Sequence, residues 1–264
     1  MFEIWDILRP LTKFALYLAM FLAAGGLVFE VLFRRQMPEQ TQRFVSLLVA
    51  IAAWAGLVLV GARLAVAGIG FAMITVINKV KARGELSARI VAAATLLLSL
   101  TVVGHATMFG AITGVLLALH LGGVAFWLGA LLPLRQMCGA TGDVNSAAVL
   151  AEIADRFGRI AQHVVPVLIV AGMTYAALLL GSVVALVTTG YGLVLLVKIL
   201  LVAGLLGLAA RNRFRIVPAL QAGDLSAAMR LRRTIDLEIL LALSILLMSS
   251  LLTTSLTLPN GEMG

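Results

Sequence analysis

Three histidines, His105, His120 and His163, are the residues in this sequence best suited to chemistry. Each falls within, or at the edge of, a stretch apolar enough to lie in a bilayer, and none is on a distant loop. Ionisable groups are costly at that depth, so each is a functional hypothesis by default. Imidazole binds copper, zinc, iron and nickel, and thioether or thiolate ligands favour Cu(I). Met108 follows His105 by three residues, Met137 and Cys138 lie just inside the inner end of the stretch holding His120, and Met173 follows His163 by ten. The plainer alternative is a hydrogen bond from each histidine to a neighbouring helix, with the methionines packing. There is no CxxC, HExxH, carboxylate cluster or glycine-rich phosphate loop. Neither a hydrolytic centre nor a nucleotide-driven pump is supported, and the chain is read as a non-enzyme.

The elements that must position these residues follow from composition. Of 264 residues, 62% are hydrophobic and 12% charged, with mean hydropathy +1.09. Soluble domains run about 45–50% apolar and about 25% charged, so a soluble enzyme and a disordered chain are both excluded. The fold expected is all-α, a polytopic transmembrane bundle of about eight helices forming a single domain over 1–264. Apolar stretches fall at 11–33, from Phe44 to Asn78, and at 90–103, 112–133, 164–187, 191–210 and 237–258. The first lacks a basic leader and a small-residue cleavage site, and is read as a true span. The second would be about 50 Å long as one helix, so it is read as a hairpin turning near 61–68, where Arg63 falls. The inner connection 139–160 carries candidate N-caps Asp143, Asn145 and Ser146 and an amphipathic pattern that leads into the following span.

Charge orients these spans. The chain carries +8 net, and 16 of its 20 lysines and arginines fall in four patches, at 34–43, 79–89, 135–159 and 211–233. The hairpin puts all four on one side. By the positive-inside rule that side is cytoplasmic, with both termini outside. The surplus is thus a topology marker, and nucleic acid is not an expected partner. One cysteine permits no internal disulfide. On the span at 112–133, His120, Gly123, Trp127 and Leu131 share a helical face, and Gly122 and Gly123 admit a close neighbour. Lys198 lies about seven residues into its span, either snorkelling or paired, with Glu30 and Glu238 both near inner ends. Arg211, Asn212, Arg213 and Arg215 read mostly as inner anchors.

These residues also form a family pattern. Val103-Gly104-His105-Ala106-Thr107, Ala118-Leu119-His120-Leu121 and Phe126-Trp127-Leu128-Gly129-Ala130-Leu131-Leu132-Pro133 resemble segments of the bacterial copper resistance protein D (CopD) family. So do Lys198 within 191–202, the run Asn212-Arg213-Phe214-Arg215-Ile216-Val217-Pro218, Leu237-Glu238 and Thr257-Leu258-Pro259. The resemblance spans about 105–259. It departs from the family in its short region before His105 and in Gly129-Ala130, where the family has a Gly-Gly pair. It implies a multi-pass copper protein of the bacterial inner membrane that serves copper homeostasis and resistance by moving copper inward. A periplasmic copper carrier would be its partner. His105 and His120 carry over as copper ligands, and His163 matches a histidine of some members.

The reading that follows is copper movement through intramembrane histidines. Copper is the bound ion, and His105 with Met108, His120 and His163 are the metal residues. Met137 and Cys138 are inner-side acceptors, and Trp127, Lys198, Asn212 and Arg213 have supporting roles. The lipid bilayer and copper are the expected partners; homo-oligomerisation, the copper oxidation state and any coupling ion are left open. A vertical spread of about 15 Å favours a relay of sites, whereas shifted spans would let the histidines converge on one ion. Two other classes stand beside it: a haem-binding electron-transfer protein with axial histidines, and a non-transporting membrane anchor or sensor subunit.

Overall fold

Backbone entering hydrocarbon must satisfy its own N–H and C=O groups, and an α-helix does so within one segment. The computed structural model describes residues 4–60, 72, 89–95 and 111–256, and among these it is an all-α bundle without strands. Six of the described helices are long and apolar enough to cross a membrane. They are α1 (Ile4–Phe33), α2 (Glu39–Val60), α3 (Ala111–Ala140), α4 (Val144–Leu180), α6 (Gly190–Arg211) and α8 (Ser226–Thr254). The short α5 (Ala185–Thr188) precedes α6, which continues through a π-helical turn (Asn212–Ile216) into α7 (Val217–Gln221). Residues 89–95 are also helical. The hairpin expected from Phe44 to Asn78, apart from its part in α2, and most of the span expected at 90–103 lie outside the described residues. So do Arg63, His105 and Met108.

The inner connections are far shorter than expected, because polar residues there extend the helices. Only 141–143 separates α3 from α4. Asp143 is the N-cap of α4: its Oδ1 accepts from the Ser146 N–H at 2.7 Å, and Ser146 Oγ accepts from the Asp143 N–H at 3.2 Å, a capping box. The expected amphipathic lead-in therefore runs straight into its span as one 37-residue helix. That span ends at Leu180, short of the expected residue 187, where Gly181 adopts φ 66° and closes the helix. The last span begins at Ser226 rather than near Leu237, and the basic stretch before it is itself largely helical.

Helix α1 is central and packs against α2, α3 and α8. The tightest approach is to α3. A Cβ on Gly25 would strike the backbone of Ala125 and Gly129, and one on Gly129 would strike the backbone of Gly25. Small residues permit this contact between membrane helices, where dispersion must supply what water exclusion supplies elsewhere. Around it Phe29, Phe33, Met20 and Leu27 are almost wholly buried.

Basic patches 34–43, 135–159 and 211–233 meet at one end of the bundle through cross-helix bonds. Gln36 joins Glu152 and Arg156, each at 2.8 Å, and Thr41 donates to Gln136 at 3.0 Å. Arg135 pairs with Asp236, and Arg213 with Asp155. Arg89 pairs with Glu30 at this end, and both are buried. Such a pair is retained only when both members are present, and removing one costs about 3–5 kcal/mol. At the opposite end Lys13 Nζ donates to the Thr253 carbonyl at 3.1 Å, and a smaller cluster forms around Leu180, Tyr191, Leu195 and Leu252.

Two outcomes follow. Gly25→Val or Gly129→Val is expected to cost at least about 1–3 kcal/mol through forced separation of α1 and α3. Gly122→Ala, with nothing among the described residues within 4 Å of its added Cβ, is expected to gain up to about 1 kcal/mol of helix propensity. Thermal unfolding in detergent measures both, and equal effects would contradict the close-contact account. In the turn before α8, Asp224 is held down to about 2, from an ordinary 3.8, by the Ser226 hydroxyl and then Arg230. Its contribution to stability is therefore full above the ordinary value and fades as pH falls toward the lowered one. The stability gap between wild type and Asp224→Asn should accordingly close over that acid range.

Candidate functional site

His120 lies nine residues into α3, half-buried against α4. Its Nδ1 is 3.1 Å from the Leu168 carbonyl. A carbonyl only accepts, so Nδ1 carries the proton and Nε2 keeps its lone pair. This is the orientation that ligating histidines usually have, one ring nitrogen anchored to a carbonyl and the other available. The ring has room because Gly172 faces it: a Cβ there would come within 2.7 Å of Nδ1 and Cε1. One turn along α3, Gly123 faces Leu168, the residue whose carbonyl anchors the ring. The expected shared face of His120, Gly123, Trp127 and Leu131 is therefore the α4-facing side. Among the described residues Gly122 has no neighbour within 4 Å of an added Cβ, and the close approach there is made by Gly123 alone of the two.

His163 is exposed on α4, with Nδ1 3.0 Å from the Arg159 carbonyl of its own helix. It is five residues from Leu168, which is about 7.5 Å of rise and about 140° of rotation from the carbonyl that His120 meets. The two imidazoles thus occupy different levels and faces. Among the described residues no group of three or more His, Cys, Asp or Glu is arranged to hold a metal ion. Met137 and Cys138 are buried in the main core at the basic end of α3, about 25 Å of helix from His120. Met173 is exposed.

Lys198, half-buried in α6, makes no hydrogen bond or ion pair among the described residues, and its charge is within electrostatic reach of His120. Neither periodicity nor spacing pointed to this proximity. Trp127 is buried edge-on to Phe157 of α4, with ring centroids 5.9 Å apart, and Phe126 stacks on the same ring at 4.8 Å.

Asn212 is a correction. It is buried, not an interfacial anchor. Its Nδ2 donates to Glu238 Oε1 at 2.6 Å, and its Oδ1 accepts from Thr234 at 2.6 Å. Glu238 and Thr234 are both buried in α8. The π turn turns Asn212 inward while Arg211, Phe214 and Arg215 stay exposed, and π-helical turns recur at functional sites. Arg213 leans across Gly158 to Asp155, which also pairs with Arg159. The available sequence signal was the i, i+4 spacing of Thr234 and Glu238, which puts two polar groups on one face of an apolar helix.

The family model for copper resistance protein D matches residues 151–252. The resemblance seen in the motifs is borne out over that stretch, which includes His163, Lys198, Asn212, Arg213 and Glu238; His105 and His120 precede it. No curated protein and no solved structure matches the chain.

Asn212→Leu should lower stability by about 1–3 kcal/mol, because it leaves the Glu238 carboxyl buried without its donor. Adding Glu238→Met should restore much of that loss. Thermal unfolding of the single and double variants measures the coupling, and additive losses would contradict the clasp.

Proposed function

We propose that this chain, a membrane protein with copper resistance protein D family sequence over residues 151–252, moves copper across the bilayer through His120. One observation carries the reading: a histidine at membrane depth whose Nδ1 is anchored to a carbonyl, leaving Nε2 as a ligand, with a glycine opposite the ring. A lone, half-buried imidazole of this kind suits a transit point more than a resident cofactor site, since cargo must be held weakly enough to leave. The different levels of His120 and His163 support separate stations along a path. His105 with Met108 is proposed as the entry station and His163 as a station nearer the basic end. Met137 and Cys138 are assigned to packing rather than to copper transfer, because both are buried in the core.

The basic end, where the arginine-rich patches meet, is assigned to the cytoplasm by the positive-inside rule, with movement inward and both termini on the far side. Delivery by a periplasmic copper carrier and residence in the bacterial inner membrane belong to the same proposal.

Copper uptake into proteoliposomes, wild type against His120→Ala, tests it. His120→Ala is expected to abolish uptake. Gly172→Val, which crowds the ring without touching Nε2, is expected to weaken copper binding by about 10–100-fold, the usual range for loss of a ligand's orienting neighbour. His163→Ala should cause partial loss. Full uptake by His120→Ala would sink the proposal, and collapse with every single histidine variant would replace separate stations with one shared site. A Soret band in protein made under haem-replete conditions would favour the electron-transfer alternative.

A further inference from the structure

A cavity of about 300 Å³ opens at the basic end between α4 and the limb formed by α6 and its π turn, with α3 and α8 as its floor. Its walls are Trp127, Leu131, Phe157, Ala161, Val165 and Leu206, nearly all apolar surface. Helices α4 and α6 do not pack on one another as neighbours along their lengths; α4 meets this limb mainly at α7, and also at the π turn. The flanking surfaces carry exposed apolar side chains, including Val167, Val170 and Phe214. In a bilayer this mouth faces hydrocarbon.

One polar feature distinguishes the cavity from a packing defect. The Nε–H of Arg213, on its wall, is buried and lacks a hydrogen-bond acceptor among the described residues. The Trp127 indole, by contrast, has the Glu238 carboxylate beside it, which also accepts from Asn212. A donor left unpaired at such a depth is costly. Arg213 and the Glu238 carboxylate line the cavity, and the exposed Arg159, Arg211 and Arg215 are next in sequence to the lining residues Gly158, Ala210 and Phe214; Asp155 pairs with Arg159 and Arg213. An apolar slot that faces acyl chains, holds an unused arginine donor and is flanked by exposed arginines fits one ligand chemistry. That chemistry is an apolar chain joined to an anionic, acceptor-rich head.

The geometry points to a bound anionic phospholipid, with an acyl chain between α4 and α6 and its phosphate at Arg213, toward the exposed arginines beside it. Arginine suits the phosphate through its forked donors. The lipid wedges α4 apart from α6 and supplies the packing that the protein does not supply there.

The test uses the full chain, purified in mild detergent and stripped of lipid. Phosphatidylglycerol, phosphatidylcholine or inorganic phosphate is then added, and binding is followed by native mass spectrometry and thermal unfolding. Phosphatidylglycerol should bind at one per chain, about tenfold or more tighter than phosphatidylcholine, and raise the unfolding temperature. Ala210→Phe, at an exposed position on the cavity wall, fills the slot and leaves every ion pair in place. It should reduce phosphatidylglycerol retention by about fivefold or more, and Arg213→Gln should do the same through the head. Ala210→Phe is the deciding variant, because Arg213→Gln also breaks the bond to Asp155. The proposal is overturned if Ala210→Phe retains the lipid like wild type, if phosphatidylcholine binds equally well, or if inorganic phosphate alone gives the same thermal shift.

Discussion

A polar group that leaves water inside a bilayer finds its partner within the protein or stays unpaired at a cost of several kcal/mol. The arrangement of this chain depends on that constraint. Every described crossing is helical, so the main chain satisfies itself. Side chains that cannot do so locally are gathered at one end and joined across helices: Glu30 with Arg89, Thr41 with Gln136, Arg135 with Asp236, and Asp155 with Arg213. The apolar remainder packs through the contact of Gly25 with Gly129, where two backbones meet without side chains between them.

The same constraint distinguishes the polar groups left over. Glu238, Asn212 and Thr234 form a closed cluster in which each hydrogen bond has its acceptor, as expected of a clasp holding α8 to the π turn. His120 is different. One ring nitrogen is committed to Leu168 and the other has no partner among the described residues, which is the feature that the proposed copper path uses. Arg213 is half-used too, but as a donor beside an apolar slot. The two ligands proposed above follow this difference: a lone pair suits a metal ion, and an unpaired N–H suits an oxygen-rich anion.

Much of the fold was legible because apolar runs and charge patches are local signals. The six described spans fall where the apolar stretches are, and the three described basic patches meet at a common end. Boundaries were less legible. The patches at 139–160 and 211–233 read as connections because they are charged, yet both are largely helical, and Glu152, Asp155, Arg156 and Arg213 find partners on other chain segments. Gly129 was noted only within a family motif, and nothing local marks it as the residue that meets Gly25.

The candidate site divides in the same way. His120 stood out in the sequence because an ionisable residue in an apolar run is rare and costly, and its face with Gly123, Trp127 and Leu131 followed from helical repeat alone. Which nitrogen is free, that Gly172 makes room for the ring, that Lys198 lies within reach, and that His163 points elsewhere were decided only by the packing of α3, α4 and α6. Sequence alone determined depth and residue type, because burial in lipid is set by hydropathy along the chain. Tertiary structure decided partners, because residues such as Asn212 and Glu238 are 26 positions apart in sequence and meet only once their helices are packed.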